Sequence, residues 1–154
     1  MVWKPDVTVA AIVEEDGRFL MVEERIHGRL VYNQPAGHLE SGESLVDAVI
    51  RESREETAWE FEPEALVGFY LWNHVEGVTT LRACFTGRAR THHPDEILDD
   101  GIVQALWLTR EDLVQRRPEL RTPLVLKCID DYLAGQRVPL SVLHHRLDSP
   151  VASA

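Results

Sequence analysis

From Val7 to Val13 every position is apolar except Thr8, so neither face of an extended segment is polar, and the pattern predicts a strand covered on both sides. Asp16-Gly17 supplies a tight turn, and Arg18 to Glu24 (RFLMVEE) reads as the hairpin partner. After Gly28 a short third strand, Leu30 to Asn33, runs into Gln34-Pro35-Ala36-Gly37. The period then changes. Ser44 followed by Asp47 resembles a capping box with Asp in place of the usual Glu or Gln, which starts a helix at about Leu45. At about 100° per residue, Leu45, Val46, Val49, Ile50, Ser53 and Thr57 form one side of it. Glu52, Glu55 and Glu56 fill a sector of about 100° at that side's edge.

Alternation returns after Pro63. Between Ala65 and His74 the residues Val67, Phe69 and Leu71 point one way, and Tyr70, Trp72 and His74 the other. Glu76-Gly77 turns the chain. Val78 to Arg90 comes back with Leu81, Ala83, Phe85 and Ala89 on one face and Arg82, Arg88 and Arg90 on the opposite one, a second antiparallel hairpin. The acidic, proline-containing stretch Thr91 to Gly101 is a loop, and Ile102 to Leu108 is a further strand. A short helix opens at Thr109 with Glu111-Asp112 and stops before Pro118; Thr122-Pro123 opens another that runs to about Ala134 and closes at Gly135. Residues 136–154 show little periodicity, and no repeat, low-complexity segment or internal linker interrupts the chain.

Length changes the picture little: 154 residues make one domain. With 44% hydrophobic and 27% charged residues the chain reads as a soluble globular protein. Charge says more. A formal net charge of -10 argues against nucleic acid polymers and anionic membrane as partners, because both need a basic face, and a polyanionic substrate would need a metal as intermediary. Cys84 and Cys128 lack metal-ligand spacing and read as buried free thiols. No signal-like segment opens the sequence and no run approaches the roughly 18 apolar residues of a membrane span, so a cytoplasmic location is expected.

Three glutamates at positions i, i+3 and i+4 of one helix edge repel each other unless a cation sits among them, and oxygen ligands without Cys or His select Mg²⁺ or Mn²⁺. Arg51 lies about 40° round the helix from Glu55 and can pair with it, with Asp47 within reach on the preceding turn, so it would orient a ligand. Charged residues at these spacings also occur on solvated helix faces. The longer constellation decides between the two, since six fixed residues at roughly 7% frequency each arise by chance in on the order of one chain in 10⁵.

That constellation closely resembles the Nudix hydrolase box. Gly37, Glu43, Arg51, Glu52, Glu55, Glu56 and Trp59 match it, while Ser53 stands where a hydrophobic is usual and Ala58 where glycine is usual. A left-handed helix end would cost Ala58 roughly 1 kcal/mol. The phrases VTVAAIVEEDGRFLMVEE, NQPAGHLESGESLVDAVIRESREET and RTPLVLKCIDDYLAGQRVPL extend the similarity to about Leu140, and look like the NudJ subgroup of bacterial Nudix phosphatases. The resemblance implies an α/β fold, a Nudix-type α/β/α sandwich with a mixed β-sheet, over residues 1–140, leaving 141–154 as a partly ordered tail. It also implies Mg²⁺-dependent hydrolysis, with Mn²⁺ as an alternative ion, of nucleoside di- and triphosphates or of thiamine and hydroxymethylpyrimidine pyrophosphates. Carried over position by position, Glu52, Glu55 and Glu56 would be metal ligands, joined by the Ala36 carbonyl and by one acid of the late loop. Glu96, Asp99 and Asp100 compete for that place, and Asp100 is preferred as nearest the following strand. Glu52 or Glu56 would take the proton of the attacking water, Arg51 would position them, and Gly37 and Glu43 would support the loop.

Four residues are candidates for holding a small phosphorylated substrate. Tyr70 and Trp72 could stack on a ring, although aromatics on strands more often serve a core. Arg82 could take a phosphate, or belong to a solvated strand face. His38 lies in the loop before the helix, whereas His92-His93 and His144-His145 are in polar stretches and read as surface residues. The rival readings are a Nudix-fold sensor that binds a nucleotide without cleaving it, and a structural Ca²⁺ helix. Intact acidic positions oppose the first, and ligands clustered on one helix edge instead of spaced along a loop oppose the second. Oligomeric state stays open.

Overall fold

The computed structural model describes residues 2–146. Strand β1, Asp6–Ile12, is the centre of the molecule because both of its faces are apolar. Val9, Ala11 and Val13 join one core cluster, together with Ala48 and Val49 of helix α1, Leu45–Thr57. Ala10 and Ile12 join the other, with Leu113 of α2, Arg110–Gln115, and Val125, Cys128 and Ile129 of α3, Leu124–Leu133. Helices therefore cover both sides of the strands, an α/β/α sandwich.

The remaining strands are β2 (Glu14–Glu15), β3 (Arg18–Ile26), β4 (Arg29–Asn33), β5 (Ala36–His38), β6 (Trp59–Asn73), β7 (Thr79–His92) and β8 (Ile102–Thr109). They form two four-stranded sheets. The first is ordered β5-β1-β7-β6 and is mixed, since β1 runs parallel to β7 and antiparallel to β5. In the second, β3 pairs antiparallel with β2, β4 and β8. Asp16 and Gly17 both take positive φ, 51° and 78°, as the two-residue hairpin turn between β2 and β3 requires.

Two of the three N-caps fall where the sequence places them, while α3 starts one residue late, at Leu124, with Pro123 in place of Thr122 at its N-cap and no cap bond from that residue's side chain. Ser44 Oγ accepts from the Asp47 N–H at 3.0 Å, and Thr109 and Asp112 form a complete capping box. Ala58 takes the left-handed conformation, φ 60° and ψ 17°, at the end of α1. It is held there by its N–H to Arg54 O and by the His93 N–H to its own carbonyl, both 2.8 Å.

Three further details depart from the pattern. Strand β6 starts at Trp59 and not near Ala65, because register shifts at Trp59/Phe61, Pro63/Ala65 and Leu66/Gly68 break its alternation. The last of these shifts puts Val67 in the same core cluster as Tyr70 and leaves Phe69 and Leu71 exposed. On α1 the buried side contains Glu56 and not Ile50, so the carboxylate sector faces inward further than the apolar stripe suggests. Leu140 and Leu143 pack on the α1-side core, and positions 147–154 of the expected tail lie outside the described residues.

Candidate active site

Helix α1 is laid against β5, and the contact explains the glycine before it. A Cβ on Gly37 would sit 2.1 Å from the Glu52 carboxyl carbon, so only glycine lets the strand and that side chain occupy adjacent space. One turn further, Glu56 Oε1 accepts the Ala36 N–H at 2.7 Å. Leu39 N–H donates to Val7 O and Ala11 N–H to Pro35 O, which fixes the loop strand to β1 on either side of these residues.

Arg51 ties the loop to the helix. Its Nε and Nη2 donate to the two oxygens of Glu43 at 3.0 and 2.7 Å, Nη2 also donates to His38 O at 3.0 Å, and Nη1 donates to Glu52 at 2.7 Å and Glu55 at 3.1 Å. Glu43 in turn accepts the Glu40 N–H at 2.8 Å. Asp47 is not among the ion-pair partners of Arg51. The guanidinium holds Glu43 below the usual carboxylate range, and Glu43 raises Arg51 in return.

Glu52, Glu55 and Asp99 each bring a carboxylate oxygen within 4.8 Å of the others. Asp99 and not Asp100 is the loop acid in this group. The Asp99 N–H donates to Glu55 O at 3.0 Å, docking the loop on the helix at that residue, while Asp100 falls in the exposed turn that follows. Glu96 is engaged elsewhere, by Arg54. An all-oxygen set of three carboxylates suits a hard divalent cation. Burial pushes Glu56 up to about 8; the Ala36 N–H opposes this, and the charges of Glu52, Glu24 and Asp99 add to it. Burial also raises Glu52, against the pull of Arg51.

Glu55 and Asp99 line a neighbouring depression, whereas Glu52 and Glu56 border an open cleft of about 460 Å³. Ala36, Gly37, Glu52 and Glu56 form its acidic side, Thr8, Thr80 and Arg82 its floor, Trp72 and His74 its far wall. Trp72 and His74 rings pack with centroids 3.5 Å apart, and His74 Nε2 lies 3.0 Å from Thr80 Oγ1. His38 stands on the rim, its ring 71% exposed and 3.8 Å from Asp6.

Two expectations about the strand residues change. Tyr70 does not reach the cleft: it is buried in the core and donates its hydroxyl to Asp131 at 2.7 Å, so its ring is not available for stacking. Arg82 is no solvated strand residue, being 4% exposed with its guanidinium turned to Gln34 and Asn33. Sequence reading passed over Thr8, Asn33, Gln34, His74 and Thr80. The alternation Tyr70, Trp72, His74 carried a signal for His74, and the lone polar Thr8 in an apolar strand was another.

A carboxylate group that could hold a divalent cation, beside a cleft of this size on an α/β/α frame, suits hydrolysis of phosphoanhydride bonds. The chain belongs to the Nudix family: the NUDIX domain model matches residues 3–127. It is 39% identical over 141 residues to phosphatase NudJ of Escherichia coli strain K12, spanning 92% of each chain. A Nudix hydrolase structure from Nitrosomonas europaea superposes with a TM-score of 0.91 at 47% identity, covering 93% of this chain and 98% of that one. The Nudix domain of Shewanella oneidensis NrtR, solved with ADP ribose, shares the fold at a TM-score of 0.70 and 17% identity over 87% of this chain and 90% of that one. Among the described residues no helix is long and apolar enough to cross a membrane.

Proposed function

We propose that this chain is a Mg²⁺-dependent pyrophosphohydrolase of small phosphorylated metabolites, cleaving nucleoside di- or triphosphates or a pyrophosphate of the thiamine type. The observation that carries the reading is the three-carboxylate group of Glu52, Glu55 and Asp99, of which Glu52, with Glu56 beside it, lines a cleft whose opposite wall is aromatic. These three residues, with the Ala36 carbonyl and Glu56 at their side, would hold the ion, and Mn²⁺ suits the same oxygens. When bound, the ion supplies neutralising charge for phosphoryl oxygens and a lowered pKa for water.

The chain's own groups do the rest. Arg51 holds one oxygen of Glu52 and one of Glu55 and leaves their other oxygens for the ion. Glu56 is anchored through Oε1 by Ala36 N–H, and its Oε2 has no protein hydrogen bond among the described residues, which supports assigning it the proton of the attacking water. Glu52 is the second candidate for that role. Trp72 would offer a face for a ring, and His38, which also lines the cleft, would meet an outer phosphate. A protein that senses nucleotides without cleaving them would not need all of these carboxylates. The location we assign is the cytoplasm, where the free thiols Cys84 and Cys128 stay reduced.

The test is release of phosphate or pyrophosphate from a panel of nucleotides and thiamine pyrophosphate by purified protein with Mg²⁺. Cleavage that chelator abolishes and Glu56→Gln depresses is expected. Activity indifferent to both would refute the mechanism.

A further inference from the structure

Thr8 and Arg82, both among the residues lining the cleft, each carry a buried polar atom without a protein hydrogen-bond partner, Thr8 Oγ1 and Arg82 Nε. The two residues are register partners in the parallel pair β1 and β7. Arg82 is 4% exposed, with Nη1 donating to Gln34 Oε1 at 3.0 Å and Nη2 to Asn33 Oδ1 at 3.3 Å. Gln34 is itself fixed, its Nε2 donating to Val125 O at 2.7 Å in the protein interior. The buried Cys128 thiol also lies against the guanidinium. No carboxylate forms an ion pair with Arg82 among the described residues, although Glu24, Glu52 and Glu56 line the same cleft. Burying a cation among amides, with no counter-charge, is costly unless an anion comes to it.

Position across the sheet narrows what that anion is. With strands about 4.8 Å apart in the order β5-β1-β7-β6, Thr8 is one step and Arg82 two steps from the strand on which Glu52 and Glu56 pack. Trp72 is one step beyond Arg82. The pair therefore lies between the acidic side and the aromatic wall.

We propose that Thr8 Oγ1 and Arg82 Nε form an anion subsite for an oxygen of the substrate phosphate that is not held at the carboxylates. Both atoms donate to that oxygen, and the Asn33 and Gln34 amides keep the guanidinium turned toward it. The subsite deepens the phosphoanhydride-hydrolase reading and rests on it for the identity of the ligand's phosphates. It also gives a selectivity: a ligand with two linked phosphates reaches both the carboxylate group and the subsite, whereas a monophosphate reaches one of them.

Calorimetric titration of the whole chain with inorganic pyrophosphate in EDTA isolates the subsite from metal and from catalysis. Wild type is expected to bind, Arg82→Gln to weaken binding by about tenfold or more, Thr8→Val by a few-fold, and Thr8→Ser to restore it. Melting curves identify any variant that fails to fold, and Thr8→Val keeps the test open if Arg82→Gln does. Absence of binding by wild type, or equal binding by folded Arg82→Gln and Thr8→Val, would overturn the subsite. Pyrophosphate binding with the expected variant effects, in a protein that cleaves no member of the substrate panel with Mg²⁺, would uphold the subsite and refute the proposed function.

Discussion

The two sides of the cleft are built in opposite ways. The acidic side comes mainly from one stretch, Gly37 to Thr57, in which a loop and a helix bring carboxylates together and Arg51 locks them, with Asp99 docked on the helix from a later loop. The floor and far wall come from Thr8, Asn33, Trp72, His74, Thr80 and Arg82, contributed by three strands of one sheet and the end of the other, with buried Gln34 behind Arg82. On the proposed function the comparison separates chemistry from recognition: the local unit would act on the bond that is cut, and the distributed one would hold the rest of the substrate, its second phosphate included. Damage to the first should lower kcat, and damage to the second should raise KM.

The largest effect is expected on the acidic side. Glu52→Gln removes a cluster carboxylate and should lower kcat by about 10²- to 10⁴-fold with little change in melting temperature, read by steady-state kinetics. Glu56→Gln should slow turnover as well, and it carries a stability signature that a wall residue would not. Because folding raises Glu56 from the ordinary 4.5 to about 8, the native state holds a proton that the unfolded chain releases. Metal-free wild type therefore loses stability as pH rises from about 4.5 to about 8, by a few kcal/mol at most. In EDTA the Gln variant should melt higher than wild type at pH 8, with the difference shrinking toward pH 5. A difference independent of pH would show that Glu56 is ionised in the metal-free protein.

Arg51→Ala sharpens the comparison from behind the carboxylates. Loss of the bonds to Glu43, Glu52, Glu55 and His38 O should cost about 10- to 100-fold in kcat/KM and weaken the Mg²⁺ dependence. On the far wall, Trp72→Ala should raise KM by about tenfold and leave kcat nearly intact, the size of one lost stacking contact. A fall in kcat alone would break the division of labour. The smallest effect belongs to Ala58. Its left-handed backbone makes Ala58→Gly stabilising by up to about 1 kcal/mol, measurable by chemical denaturation.

Legibility from sequence followed the same division. Both caps at Ser44 and Thr109, the hairpin turn at Asp16-Gly17 and the two-sided β1 are local signals, and the structure carries them. The α1 carboxylates were legible because 3.6-residue periodicity converts spacing directly into a shared edge. Asp99 was not, since a backbone bond from its N–H to Glu55 O, and no distance along the chain, decides which loop acid meets the helix. Tyr70 misled for a comparable reason. The bulge at Leu66/Gly68 and the partner Asp131, sixty-one positions away, draw its phenol into the core. Arg82 was seen, but its burial depends on Asn33 and Gln34 at the end of another sheet, which no window around residue 82 contains.

The most direct measurement is phosphate and pyrophosphate release by the wild-type chain from nucleoside di- and triphosphates and thiamine pyrophosphate, run in parallel with Mg²⁺ and with EDTA. The account predicts cleavage of at least one member with Mg²⁺ and none with EDTA. Cleavage that persists undiminished in EDTA, or no cleavage of any member with Mg²⁺ or Mn²⁺, would contradict it.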